Sequence, residues 1–198
     1  MPVSFTYTPI SAATSASTSR FVASTNMANG AYTLANTTPA NPGGVNITAT
    51  ITGVTGNDTP GTITVVGIGL NGGALTEVIT LSAGGTATGS AVFKSITSIT
   101  QAGWVINTGN DTIIIGHTAG SIVCGSQGTL HGIAVNTTQA ATVVLADAGG
   151  TIATLASSIA NGFYMFDLDF RGFLKVTTTS TNDITVVHTG TLPPSYAT

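Results

Sequence analysis

Charge is what this sequence has least of. Of 198 residues only 6% are charged, four of them Lys or Arg and seven Asp or Glu, against about 25% in an ordinary soluble domain. The whole cationic inventory is Arg20, Lys94, Arg171 and Lys175. Four scattered cations in a chain of net charge −3 make no basic stripe able to neutralise a run of phosphates, so no direct nucleic-acid partner is expected. Cysteine is almost missing too. Cys124 stands alone, which excludes the internal disulfide framework of small secreted domains and leaves a small buried hydrophobe as the expected role. No apolar run approaches the roughly 18 residues that span a bilayer. The opening Met1–Thr8 carries no basic stretch ahead of an apolar core, so no secretory signal is read there and the chain is expected to be made in the cytoplasm, with no membrane partner. Helical periodicity is missing as well, and aromatic residues are only 6% of the chain.

What remains is Thr, Ser, Asn and Gly around short apolar runs. A surface built from hydroxyls and amides dissolves, yet is far cheaper to desolvate than one built from ions, provided each buried group finds a partner. Such a surface favours permanent contact with other protein.

Residues 1–44 carry Pro2, Pro9, Pro39 and Pro42 through a Ser/Thr/Ala/Asn-rich stretch without a sustained period, which predicts an extended N-terminal arm. Its scattered apolar side chains fit a segment that orders by lying on something. Phe5, Tyr7, Phe21 and Tyr32 are the candidate assembly contacts, and deleting residues 2–40 is expected to weaken attachment without unfolding the rest.

From Val45 the chain turns into short β-rich runs, Val45–Thr52, Thr62–Leu70, Leu75–Ser82, Ala91–Thr100 and Asp111–Thr118. A second set follows the small-residue stretch Gly125–Gly128: His131–Asn136, Ala141–Asp147, Thr151–Ala156, Asn161–Phe170, Phe173–Thr179 and Asp183–His188. This spacing predicts an all-β chain of two small antiparallel sandwiches, Ig-like or jelly-roll-like, over residues 45–120 and 127–198. The clearest alternation sets Tyr164, Phe166, Leu168 and Phe170 on one face and Met165, Asp167, Asp169 and Arg171 on the other. Thr55-Gly-Asn-Asp-Thr59 recurs as Thr108-Gly-Asn-Asp-Thr112, read as two turns that feed strands.

The search for chemistry yields no catalytic, cofactor-binding or metal residue. Gly67-Ile-Gly-Leu-Asn-Gly72 has the spacing of a dinucleotide loop, but a strand and not a helix follows it, so Asn71-Gly72 reads as a hairpin turn. Asp167 and Asp169 share a strand face and offer oxygen to a cation, yet pairing with Arg171 is the simpler account. His117, His131 and His188 stand far apart, without zinc-ligand spacing. Trp104 sits among apolar neighbours and reads as core.

Two stretches carry a resemblance. Ile63-Thr-Val-Val-Gly-Ile-Gly-Leu-Asn-Gly-Gly-Ala-Leu-Thr-Glu-Val-Ile-Thr-Leu81, continuing through Ala91–Thr100 to Asp111–Gly116, resembles a domain of tailed-bacteriophage virion proteins. Leu130–Asn136, Phe166–Val176 and Asp183–Val187 are similar to small sandwich domains of phage capsid decoration (cement) and related head proteins. The resemblance covers roughly residues 45–189 and rests on strand and turn patterns. It implies a structural, non-enzymatic virion protein on the outer capsid surface. Its implied partners are the major capsid protein and copies of itself, as a homo-oligomer with a trimer among the options. A tail or fibre component contacting the host surface, which an exposed aromatic cluster at one end would favour, and a carbohydrate-binding module are the rival readings.

Overall fold

The computed structural model describes residues 4–10, 16–28, 30–39, 43–54, 58–106, 111–138, 141–178 and 182–190. Among them the chain is all-β, without a helix and with antiparallel pairing throughout. The strands run β1 (Thr6–Ile10), β2 (Ser17–Asn26), β3 (Val45–Thr52), β4 (Thr62–Gly69), β5 (Ala74–Thr80), β6 (Thr86–Ala102) and β7 (Thr112–His117). They continue as β8 (Ser121–Cys124), β9 (Gly128–Val135), β10 (Val143–Asp147), β11 (Gly150–Leu155), β12 (Gly162–Phe170), β13 (Leu174–Thr178) and β14 (Ile184–His188).

The chain divides into two compact units that are interleaved in sequence. One, the split unit, takes Met1–Ser15, Asn41–Gly43 and Ala119–Thr198; the other, the inserted unit, takes Ala16–Ala40 and Gly44–Thr118.

In place of the expected extended arm, the described residues among 1–44 include two sheet strands. β1 pairs β14 at the edge of a sheet in the split unit, and β2 pairs β7 at the edge of the sheet in the inserted unit. Edge positions explain how these segments are strands despite their composition. Pro9 lacks an N–H, which an edge strand tolerates and a central one does not. β2 slips register twice against β7, so its burial has no period of two and both Phe21 and Val22 are buried.

The inserted unit is one six-stranded sheet in the order β2-β7-β3-β6-β4-β5. Alternation builds its core: Val45, Ile47, Ala49 and Ile51 on β3, Ile63 and Val65 on β4, and Ile113 and Ile115 on β7 turn the same way, joined by Phe21, Met27, Tyr32 and Phe93. The 17-residue β6 serves both halves, pairing β3 before Phe93 and β4 after it. A bulge around Ser90 lets it change direction. Asn46 Nδ2 donates to the Ser90 and Ala91 carbonyls at 3.0 and 3.2 Å, and Glu77 Oε1 accepts from the Ser90 and Ala91 N–H groups at 2.6 and 3.0 Å. Glu77 lies on β5, two strands from β6 in sheet order, so the sheet curls back over its own core.

The split unit stacks two four-stranded sheets, β1-β14-β9-β12 and β11-β10-β13-β8. Ile10, Leu130, Ile133, Val135, Phe170, Ile184 and Val186 from the first meet Val143, Leu145, Leu155, Leu174 and Val176 from the second. β12 alternates as expected up to Phe166, with Tyr164 and Phe166 packed on this core and Met165 outside it. A bulge between Met165 and Leu168 then breaks the period, so Leu168, expected on the buried face, is 39% exposed before Phe170 returns to the core.

Candidate functional site

The outward face of sheet β1-β14-β9-β12 is built by the same alternation that fills the core. Residues directly opposite in antiparallel strands share a face, and the register makes two outward rows, Tyr7–Val187–Gly132–Met165 and Pro9–Thr185–Ala134–Phe163. Along and beside the rows sit apolar side chains left partly or largely in solvent, Tyr7 66% exposed, Met165 64%, Phe163 50% and Phe5 38%, while Val187 within the first row is buried. Gly132 matters to this face because a Cβ there would collide with the Phe163 ring.

His131 forms the centre of the cluster. Its ring centroid lies 4.8 Å from that of Phe5 and 5.7 Å from that of Phe163, and its Nδ1 meets Asp167 Oδ1 at 2.5 Å. Asp167 reaches it from a bulge in β12, where the pairing with β9 skips between Met165 and Leu168 and Asp167 adopts φ +48°. Thr129 Oγ1 donates to Asp169 Oδ1 at 2.9 Å. Both carboxylates are therefore engaged by β9, and the expected pairing with Arg171 is not formed. Arg171 lies beyond the end of β12 and gives its main-chain N–H to Asp147 Oδ2 at 3.0 Å.

The four candidate assembly contacts separate. Phe5 and Tyr7 lie on the exposed face. Phe21 and Tyr32 are in the core of the inserted unit, where the Tyr32 hydroxyl donates to the Met27 carbonyl at 2.9 Å and burial pushes its pKa above the usual phenol range. They are not available as surface contacts. The other expected motifs resolve as structure. Gly67–Gly72 spans β4 and the hairpin to β5, closed by Gly72 N–H donating to the Gly69 carbonyl at 3.0 Å with Gly72 at φ +82°. Trp104 packs on the core and donates to the Thr62 carbonyl. Cys124 is buried and free. His117 is buried in the inserted unit, whereas His188 is buried in the split unit with its pKa lowered by desolvation. Among the described residues no group of three or more His, Cys, Asp or Glu is placed to hold a metal.

Phe163, Met165 and His131 were not singled out as contacts from sequence, although Met165 was set on the wet face of β12 and the same alternation extends to Phe163. An aromatic residue at a solvent-facing strand position was the available signal. No protein-family model, curated protein or solved structure gives a significant match to this chain.

Proposed function

We propose that the chain is a structural, non-enzymatic component of a tailed-phage virion, a capsid decoration protein that seats the apolar face of its split unit on the outer surface of the major capsid protein. The observation that carries this reading is the shared exposure of Phe5, Tyr7, Phe163 and Met165 on one sheet face. Clustered exposed apolar side chains mark contact surfaces, whereas scattered ones do not. The low charge of the chain lowers the desolvation penalty around them.

Magnitude bears on stoichiometry. A fully buried large apolar side chain contributes roughly 1.5–3 kcal/mol, while association is opposed by about 4–15 kcal/mol of lost freedom. Four such side chains are marginal alone, which favours attachment by several linked copies. That arithmetic supports the homo-oligomer.

The cluster lies on one sheet face and just ahead of β1, not on loops at one end, which favours docking on protein over the tail-fibre reading. It also disfavours a sugar site, because Asp167 and Asp169, the carboxylates beside the rings, already serve His131 and Thr129. The test is co-sedimentation with particles lacking the protein, using wild type and a Tyr7→Ser/Met165→Ser variant. Wild type should pellet with heads and the variant should stay in the supernatant with an unchanged melt. Equal pelleting of the two, or binding confined to tails or glycans, would reject this reading.

A further inference from the structure

The pentapeptide that occurs twice brings its two aspartates together. Thr59 exchanges backbone hydrogen bonds with Val105 at 2.9 and 3.1 Å, and Thr112 opens β7 between its partners Thr52 on β3 and Asn26 on β2. Asp58 and Asp111 precede these two threonines, and the Asp58 carboxyl bears on Asp111 through its charge and within hydrogen-bonding reach.

Asp111 is only 1% exposed. Its main-chain carbonyl accepts from Met27 N–H at 3.1 Å, but among the described residues neither of its carboxylate oxygens meets a donor. A buried carboxylate without a donor, beside a second carboxylate, has two ways to be satisfied: a proton shared with that neighbour, or a cation. A shared proton lies on one oxygen of Asp111 and leaves the other bare. A cation takes both. The groups brought together are hard oxygens with no imidazole or thiolate, which is the donor set of calcium and not of zinc. Asp58 is only half-buried, so a hydrated ion has an approach and can keep water as its remaining ligands.

We infer that Asp58 and Asp111 bind a hard divalent cation, calcium by preference, which ties the segment ahead of the Thr59–Val105 bridge to the start of β7. This site lies in the inserted unit, apart from the apolar face of the split unit, and stands or falls independently of the proposed function.

The experiment uses the full chain stripped with chelator and returned to calcium, with magnesium at matched ionic strength as the comparison. Calcium should raise the melting temperature of the wild type by several degrees once well above its dissociation constant, and calorimetric titration should give one ion per chain. Asp111→Asn and Asp58→Asn should each fold, melt at or above the chelated wild type because the like-charge contact is gone, and lose the calcium response. Two results would overturn the inference. In one, calcium leaves the wild type unmoved while acidification of the chelated protein raises its melting temperature, which means the pair holds a proton. In the other, the calcium shift persists in both variants, which means the ion binds elsewhere.

Discussion

The two units share one vocabulary of Thr-rich strands and Gly/Asn turns, yet they distribute aromatic rings and carboxylates in opposite ways. The inserted unit buries Phe21, Tyr32 and Phe93 and packs Trp104 on its core, and it also buries Asp111 and His117. The split unit buries Phe170 but displays Phe5, Tyr7 and Phe163, with Asp167 and Asp169 beside them at the surface. Where a chain has few aromatic residues, leaving three rings on one face of one unit forgoes core stabilisation there. Among its described residues the inserted unit displays no ring in this way, although Val78 and Val105 are exposed there, and what sets its interior apart is a buried carboxylate. On the two proposals, surface contact would fall to the split unit and ion binding to the inserted one.

The largest contrast lies in what residues 2–40 do. Their removal takes away β2 with Phe21, Val22, Met27 and Tyr32 from the inserted unit, and β1 with Ile10 from the split unit. We expect the truncated chain to lose the cooperative melt of the inserted unit outright, and a truncated protein that melts like wild type by circular dichroism would restore the idea of a dispensable arm. Next in size, Phe21→Ala should cost about 3–5 kcal/mol as a large-to-small core change, read as a lower denaturation midpoint at unchanged slope. Phe5→Ala, from the same segment, should fall within about 0.5 kcal/mol of wild type. Similar losses for the two would mean that the buried and displayed rings are not different in kind.

A smaller effect distinguishes the units by pH. His188 is held below its ordinary pKa by burial, against Phe170 and within 3.5 Å of Thr8 Oγ1. The unfolded chain therefore takes up this proton first, so stability is present above about pH 6.5 and is lost as pH falls from there toward the lowered folded value. Asp147 acts in the same direction at lower pH. Arg171 N–H and Gly149 N–H bond its carboxylate and hold its pKa down, so the support it gives the β10–β11 turn disappears as that carboxylate protonates. Asp111, raised by burial and by Asp58, works with the opposite sign in the calcium-free inserted unit. Denaturation of wild type and His188→Gln between about pH 7 and pH 5 should show a decline in the split unit that the variant flattens; a decline of equal slope in both would place the acid-sensitive group elsewhere. The smallest effect is on stability at the apolar face. Tyr7→Ser and Met165→Ser should shift the midpoint by less than about 0.5 kcal/mol, and a larger loss would show that these side chains brace the sheet.

Central strands were legible from sequence; of the edge strands β5, β11 and β12 were legible too, whereas β1, β2 and β8 were not. β3 alternates Val45, Ile47, Ala49 and Ile51 and was read with its observed bounds, because both neighbours of a central strand keep its register. β2 is held on one side only and bulges against its neighbour, which erases the period that a reader uses. β1 contains Pro9, and β8 is only four residues long. The site was legible in part for the same reason. Phe5 and Tyr7 announced themselves as apolar residues in a polar segment, but Phe21 and Tyr32 looked alike and are core. What separates them is pairing with residues far along the chain, to which local composition is blind. The twin Asp58 and Asp111 motifs were visible as a repeat, whereas their meeting depends on the pairing of β7 with β3 and on the Thr59–Val105 bridge.

The interleaving of the two units sets an order of events during synthesis. Every described strand of the inserted unit has been synthesised once the chain passes residue 118, so that unit can condense while the remainder is still being translated. β1 cannot do the same. Its partner runs antiparallel from Thr6↔His188 to Ile10↔Ile184, and closing so long a loop is both entropically uphill and late. Until β14 emerges, Ile10 has no core to enter and Tyr7 no row to join. The apolar face therefore needs the two ends of the described chain together, so, if it is the docking surface proposed, it would not be complete before the rest of the split unit is in place.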